Sequence, residues 1–294
     1  MIRSIVFLSL LGLSTGCAHH QNAPTAPTPL PETGWNAQYD QRYSPSGWPE
    51  PLYADVYTPT TAGPHPAVLV AHGGGWTRRS RGDMSDIAET LASVGFVVMN
   101  IDYRFAPAHR FPAQLHDLQV AMHWLHDRRQ ALSIDRERIG ALGFSSGGHL
   151  VSLLGVVAGD DGALDQPWGG PETRLAAVVS GGTPSDLRKF GDGKLVEQLL
   201  GGTIDEVPDA YHQASPVVHV DSDDPPFFLF HGTWDMLVPI DQATDFHATL
   251  QAHGVHSELY RMRGRGHIAS FLTSGSAIEA GARFLRRTLS PSNQ

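Results

Sequence analysis

The sequence predicts an α/β fold, with one mostly parallel central sheet and helices on both of its faces. Three observations carry this expectation. Apolar runs alternate with helical periodicities at regular spacing from about residue 50 to the end of the chain. Several of the runs, such as Ala67-Val68-Leu69-Val70-Ala71, are continuous rather than alternating, as in strands covered on both sides. Glycine-rich turns stand directly after three of the strands. No internal repeat or second boundary appears, so residues 46–294 are expected to form one domain.

The chain opens on a segment that does not belong to the fold. Residues 1–16 resemble a bacterial lipoprotein signal. Arg3 supplies the positive charge, Ile5 to Leu13 form an apolar stretch too short to cross a bilayer, and Cys17 stands where such signals are cut. The usual leucine three places before the cysteine is Ser14 here. Cys17 is the only cysteine, so no intrachain disulfide is possible. The resemblance implies an exported protein, lipid-anchored through Cys17. Ala18 fits the pattern sorted to the outer membrane; without lipidation the product would be periplasmic or secreted. Residues 17–45 read as the lipidated cysteine and a linker. The stretch from Ala18 to Glu32 is proline-rich, nearly uncharged and without periodicity, so a spacer is expected, with His19 and His20 as ordinary polar residues in it.

Within the domain, Leu52 to Tyr57 alternates as a strand, and Ala67 to Ala71 reads as a buried one. Met84, Ile87, Leu91 and Val94 mark a helix, followed by the strand Phe96 to Ile101. Leu115, Leu118, Met122 and Leu125 mark the next helix, and Arg138 to Leu142 the next strand. Further strands are expected at Leu175 to Ser180, Pro226 to Phe230 and His256 to Met262, with helices at Ile240 to His253 and Ala277 to Thr288. Between Asp186 and Val217 two short helices suggest a small covering element. The net charge of −9 and the lack of a basic stripe exclude nucleic acid as a natural partner.

The chemistry gathers around Gly143-Phe144-Ser145-Ser146-Gly147. A strand that ends in Gly-x-Ser-x-Gly and opens into a helix is a strained elbow, which lifts the central serine clear of the sheet edge. Serine is a poor nucleophile at its ordinary pKa, so Ser145 needs a base, and the base needs an orienting acid. Asp235 follows the strand ending at Phe230 and supplies the acid; Asp241, nearer the next helix, is the better candidate for its cap. His267 stands in a glycine-rich loop after the last strand, whereas His231, His253 and His256 read as strand or helix residues. Three strand ends thus bring Ser145, Asp235 and His267 to one edge. His72-Gly73-Gly74-Gly75-Trp76 follows another strand, and its bare backbone amides, chiefly those of Gly74 and Gly75, join that of Ser146 as an oxyanion hole. The assignment among Gly73, Gly74 and Gly75 can slip by one. No metal or organic cofactor is implied, since His116, His123 and His126 on one helix lack a partnering carboxylate.

Taken with Asp102-Tyr103-Arg104-Phe105-Ala106-Pro107 and Phe111-Pro112-Ala113, these motifs resemble the α/β-hydrolase esterases over about residues 50–287. They are closest to the bifunctional feruloyl and acetyl esterase-like group, and more distantly similar to the hormone-sensitive-lipase group. The resemblance implies the α/β-hydrolase fold and a Ser145–Asp235–His267 triad that hydrolyses carboxylic esters. It also implies a structural role for Asp102 and Arg104, as an ion pair behind the oxyanion loop. Hormone-sensitive-lipase-type enzymes carry a helical cap ahead of the His-Gly-Gly-Gly strand, and this chain has too few residues there for one. A thinly capped site suits short acyl groups on bulky alcohols such as acetylated or feruloylated carbohydrates. The alternatives are a lipase, an amidase or peptidase of the same fold, and a silent binding protein, which would be expected to lack a triad residue although none is lost here.

Overall fold

A computed structural model of the protein describes residues 18–159, 162–191 and 193–290; the expected signal segment, residues 1–16, and Cys17 lie outside them. Its centre is a nine-stranded sheet in the order β1-β9-β8-β7-β6-β4-β5-β3-β2. In chain order the strands are β1 (Ala18–Gln21), β2 (Trp35–Arg42), β3 (Tyr53–Pro59), β4 (His65–Ala71), β5 (Val97–Ile101), β6 (Ile134–Phe144), β7 (Ala177–Gly181), β8 (Phe227–Gly232) and β9 (Ser257–Met262). Strands β4 to β9 pair in parallel, while β3 runs antiparallel to β5 and β1 antiparallel to β9. From β4 the chain steps to β5 on one side, then turns to β6 and its successors on the other. That reversal opens a crevice at the carboxyl ends of β4 and β6, where open α/β sheets place their ligands.

The helices lie on both faces, as the continuous apolar strands require. Ala67, Leu69 and Ala71 of β4 enter one core, with Leu115 from α2 (Ala113–Asp127), Leu150 from α3 (Ser146–Val157) and Phe246 from α6 (Asp241–Ala252). Val68 and Val70 enter the other, with Leu91 from α1 (Ser85–Ser93) and Phe284 from α8 (Gly275–Thr288). The two-residue period of the pleat therefore divides one strand between two hydrophobic layers.

The expected spacer does not hold: residues 18–42 already pack on the sheet. Residues 18–21 form an edge strand on β9, with His20 paired to Tyr260 across the ladder and its Nε2 2.9 Å from Glu258. Burial works to raise the Glu258 carboxyl, but the hydrogen bond from His20 and the charge of Arg287 outweigh it and hold it below the ordinary range. Residues 35–42 form the opposite edge, on β3. The segment between them crosses the face carrying α8 and α1. Arg283 donates to the Thr28 carbonyl, Leu30 packs on the apolar layer, and the Thr33 amide donates to Ser93 at 2.7 Å. Its proline content has a geometric reason. Eight strand spacings of about 4.8 Å make about 38 Å, and the steps from Gln21 to Trp35 cover about 43 Å only as an extended polyproline path of ~3.1 Å per residue. Composition alone cannot tell an extended strap from a free tether.

The covering element is real and small. It comprises a 3-10 turn at Leu187–Phe190, α4 (Lys194–Leu200) and α5 (Pro208–Gln213). A final short helix, α7 (His267–Leu272), stands where a glycine-rich loop was expected. Gly266 occupies its N-cap position with no side-chain cap, so the local sequence carried no start signal.

Candidate active site

Ser145 is in a strained backbone conformation, with φ 55° and ψ −122°, between β6 and α3. Its flanking glycines are steric necessities. A Cβ at Gly143 would stand 2.3 Å from the Gly147 carbonyl oxygen, and one at Gly147 would stand 2.1 Å from that of Ala71. The turn is held by the Ser145 amide, which donates to the Gly181 carbonyl at 2.7 Å.

The three expected residues meet. The Ser145 hydroxyl lies 2.9 Å from Nε2 of His267, and Nδ1 of the same ring lies 2.6 Å from the Asp235 carboxylate. Burial works to raise the Asp235 carboxyl, but hydrogen bonds from His231, His267 and the Val238 amide prevail and hold it well below the ordinary carboxylate range. It is therefore ionised at neutral pH and can only accept. The proton of neutral His267 must then sit on Nδ1, which leaves Nε2 free to take the serine proton. The amides of Leu237 and Val238 donate to Oδ1 of Asp235 at 3.0 and 2.8 Å, so the carboxylate is fixed in rotation as well as in charge.

The glycine loop stands beside the nucleophile. A Cβ at Gly73 would lie 3.3 Å from that of Ser145, and Gly74 and Gly75 take φ of +129° and +62°. Among the described residues, no acceptor takes the amides of Gly74, Gly75 or Ser146, the last being the first residue of α3. Leu195 of α4 closes the outer side: a Cβ on Gly75 would come within 2.8 Å of it.

Three supporting groups were not given roles by the sequence. The Tyr103 hydroxyl donates to the His72 carbonyl at 2.9 Å and lies 3.1 Å from the Ser146 hydroxyl, clasping the glycine loop to the elbow. Its ring stacks on His72 with centroids 4.4 Å apart. Arg81 gathers three carboxylates, Asp40, Asp55 and Asp102. The expected Asp102–Arg104 ion pair is thus replaced by two others, since Arg104 pairs with Asp117 at 2.8 Å. Tyr103 lay within the Asp102–Pro107 motif, and a phenol beside a catalytic loop was its only signal. His123, one of the helix histidines, is taken up by Glu172 and the Trp168 carbonyl.

His149, on the buried side of α3, gives the site's surroundings a pH dependence. Trp76 donates its indole N–H to Nδ1 at 3.2 Å, and Nε2 lies 2.7 Å from the Ala214 carbonyl. That arrangement uses both nitrogens of the neutral ring, and a second proton would face the indole N–H. Burial pushes the imidazole down to about 4. The unfolded chain takes a proton here below about pH 6.5, whereas the folded chain resists until about pH 4. The stability from this site is complete above pH 6.5 and is lost as pH falls through that window, by about 3 kcal/mol at most. His72, His116, His126 and His247 shift in the same direction, so a variant isolates the effect. Denaturant titrations of His149→Phe between pH 7 and 4 should show a lower stability with a flatter pH slope. An unchanged slope would refute the assignment.

The chain matches the family model BD-FAE over residues 54–250. It is 32% identical over 238 residues to the esterase LipC of Mycobacterium tuberculosis, a match that takes in 76% of this chain and 59% of LipC, so it spans little more than half of that relative. An acetyl ester-xyloside bifunctional hydrolase from Caldicellulosiruptor lactoaceticus superposes with a TM-score of 0.71 at 26% identity, covering 88% of this chain and 97% of that one. Esterase 2 of Thermogutta terrifontis, phosphoramylated by tabun, superposes with a TM-score of 0.72 at 25% identity, covering 88% and 97%. The architecture is the α/β-hydrolase fold, and the chain belongs to the BD-FAE family.

Proposed function

We propose that the protein is a serine carboxylic ester hydrolase that works through an acyl-enzyme. The observation that carries this reading is the unbroken relay from the strained Ser145 through His267 to an ionised Asp235. Ser145 Oγ attacks the ester carbonyl as its proton passes to Nε2 of His267, while Asp235 stabilises the imidazolium. The amides of Gly74, Gly75 and Ser146 take the negative charge of the tetrahedral intermediate. Its collapse breaks the bond to the alcohol, which leaves with the proton from His267. Water then gives its proton to the same nitrogen and attacks the acyl-enzyme, releasing the acid and restoring Ser145. Named esterases among the relatives, and a neighbour trapped by tabun, support this reading.

The acyl group is short and the alcohol is a carbohydrate. The thin cover, with Leu195 against Gly75, and the neighbour named an acetyl ester-xyloside bifunctional hydrolase favour that substrate class. Each methylene buried in an acyl pocket contributes about 0.8 kcal/mol only until the pocket floor is reached. Across p-nitrophenyl esters, kcat/KM is expected to peak from acetyl to butyryl and to fall at least about tenfold by octanoyl. A maximum at decanoyl or beyond would replace this reading with a lipase. The sequence signal further supports export, with cleavage before Cys17 and lipid on its thiol.

A further inference from the structure

Among the described residues, seven large apolar side chains are exposed, and five of them stand together at the catalytic edge. Trp234, Met236 and Leu237 lie on the turn that carries Asp235, exposed by 72, 91 and 56%. Ile268 and Leu272, exposed by 60 and 73%, are four residues apart on α7 and share its outer face. The two elements are one body, since the Asp235–His267 hydrogen bond joins them, the Trp234 amide donates to Arg265 and the Gly264 amide to Thr233. An apolar patch of this kind on a water-soluble surface marks a place of contact.

Strand β1 says what it contacts. Because β1 runs antiparallel to β9, Ala18 pairs with Met262, the last residue of β9, at the same edge as the patch. Cys17 directly precedes Ala18 in the sequence. The segment after β1 is committed to the strap across the sheet, so no length of chain separates an acyl group on Cys17 from this edge. Arg263, exposed on the turn that follows β9, adds a cation suited to lipid phosphate.

We propose that Trp234, Met236, Leu237, Ile268 and Leu272 form a docking face for a phospholipid bilayer, so that the catalytic edge rests on the membrane holding the anchor. The proposal rests on the reading of Cys17 as a lipidated residue. It is tested with the full chain, matured by its own signal and placed in phosphatidylethanolamine–phosphatidylglycerol vesicles containing a phospholipid brominated near the carbonyl. The difference in tryptophan emission between wild type and Trp234→Phe isolates Trp234. More than about half of that difference should be quenched, as for a side chain at the headgroup–acyl boundary. Met236→Ser/Leu272→Ser should lose most of the quenching, with hydrolysis of a water-soluble acetyl ester unchanged. A lipidated chain whose Trp234 remains unquenched overturns the docking face, as does a solution dimer that buries Trp234 instead. The mass of the N-terminal peptide tests the anchor separately. If Cys17 carries no lipid, the anchor reading fails, and quenching of the unlipidated chain on the same vesicles then sustains or overturns the face.

Discussion

Ser145→Ala is expected to lower kcat by about 10⁴-fold or more while leaving the fold intact. The methyl group fits where the serine Cβ already sits, and the φ of 55° is imposed by the elbow and not by the hydroxyl. What disappears is, among the described residues, the one nucleophilic atom hydrogen-bonded to His267 Nε2. The amides of Gly74, Gly75 and Ser146 persist in the variant, so a residual rate above water is expected. A fluorophosphonate should label the wild type at Ser145 and leave the variant unlabelled, and circular dichroism should be unchanged. A variant within tenfold of wild-type activity would refute Ser145 as the nucleophile.

Asp235→Asn should cost nearly as much, about 10⁴-fold in kcat, with KM little changed. The backbone dictates why. The Leu237 and Val238 amides donate to one oxygen of Asp235, so asparagine must turn its carbonyl oxygen toward them. Its NH2 group then faces Nδ1 of His267, which becomes an acceptor and moves the ring proton to Nε2. That proton points at Ser145 Oγ, and the base can no longer accept. Fluorophosphonate labelling should slow in parallel with turnover. A loss below tenfold would mean that another group orients the imidazole.

The meeting of Ser145, Asp235 and His267 was legible because its signals are steric and topological. Gly143 and Gly147 cannot carry a Cβ, and three parallel strands deliver their following turns to one edge. The continuous apolar runs of β4 and of the end of β6 were equally plain. What escaped were features whose partners lie far along the chain. The four residues of β1 carry no pattern of their own, and their pairing partner is β9. Residues 35–42 have an exposed, irregular strand with a register shift between Gln38 and Gln41, which blurs the alternation. The exchange of partners at Asp102 and Arg104 depended on Arg81 and Asp117, two residues outside the motif.

The strap and its terminal strand also set an order in time. A chain made from its amino end exposes residues 18–21 first, yet their place in the sheet exists only once residues 257–262 have been made. His20 and Glu258 are 238 positions apart. Closing so long a loop is among the last events of folding, because its entropy is offset only when the rest of the sheet stands. Until then one flank of β9 is open, and the strap has no completed face to cross. Residues 18–34 thus stay unpaired throughout synthesis, and the finished sheet draws them in only after the last strand arrives.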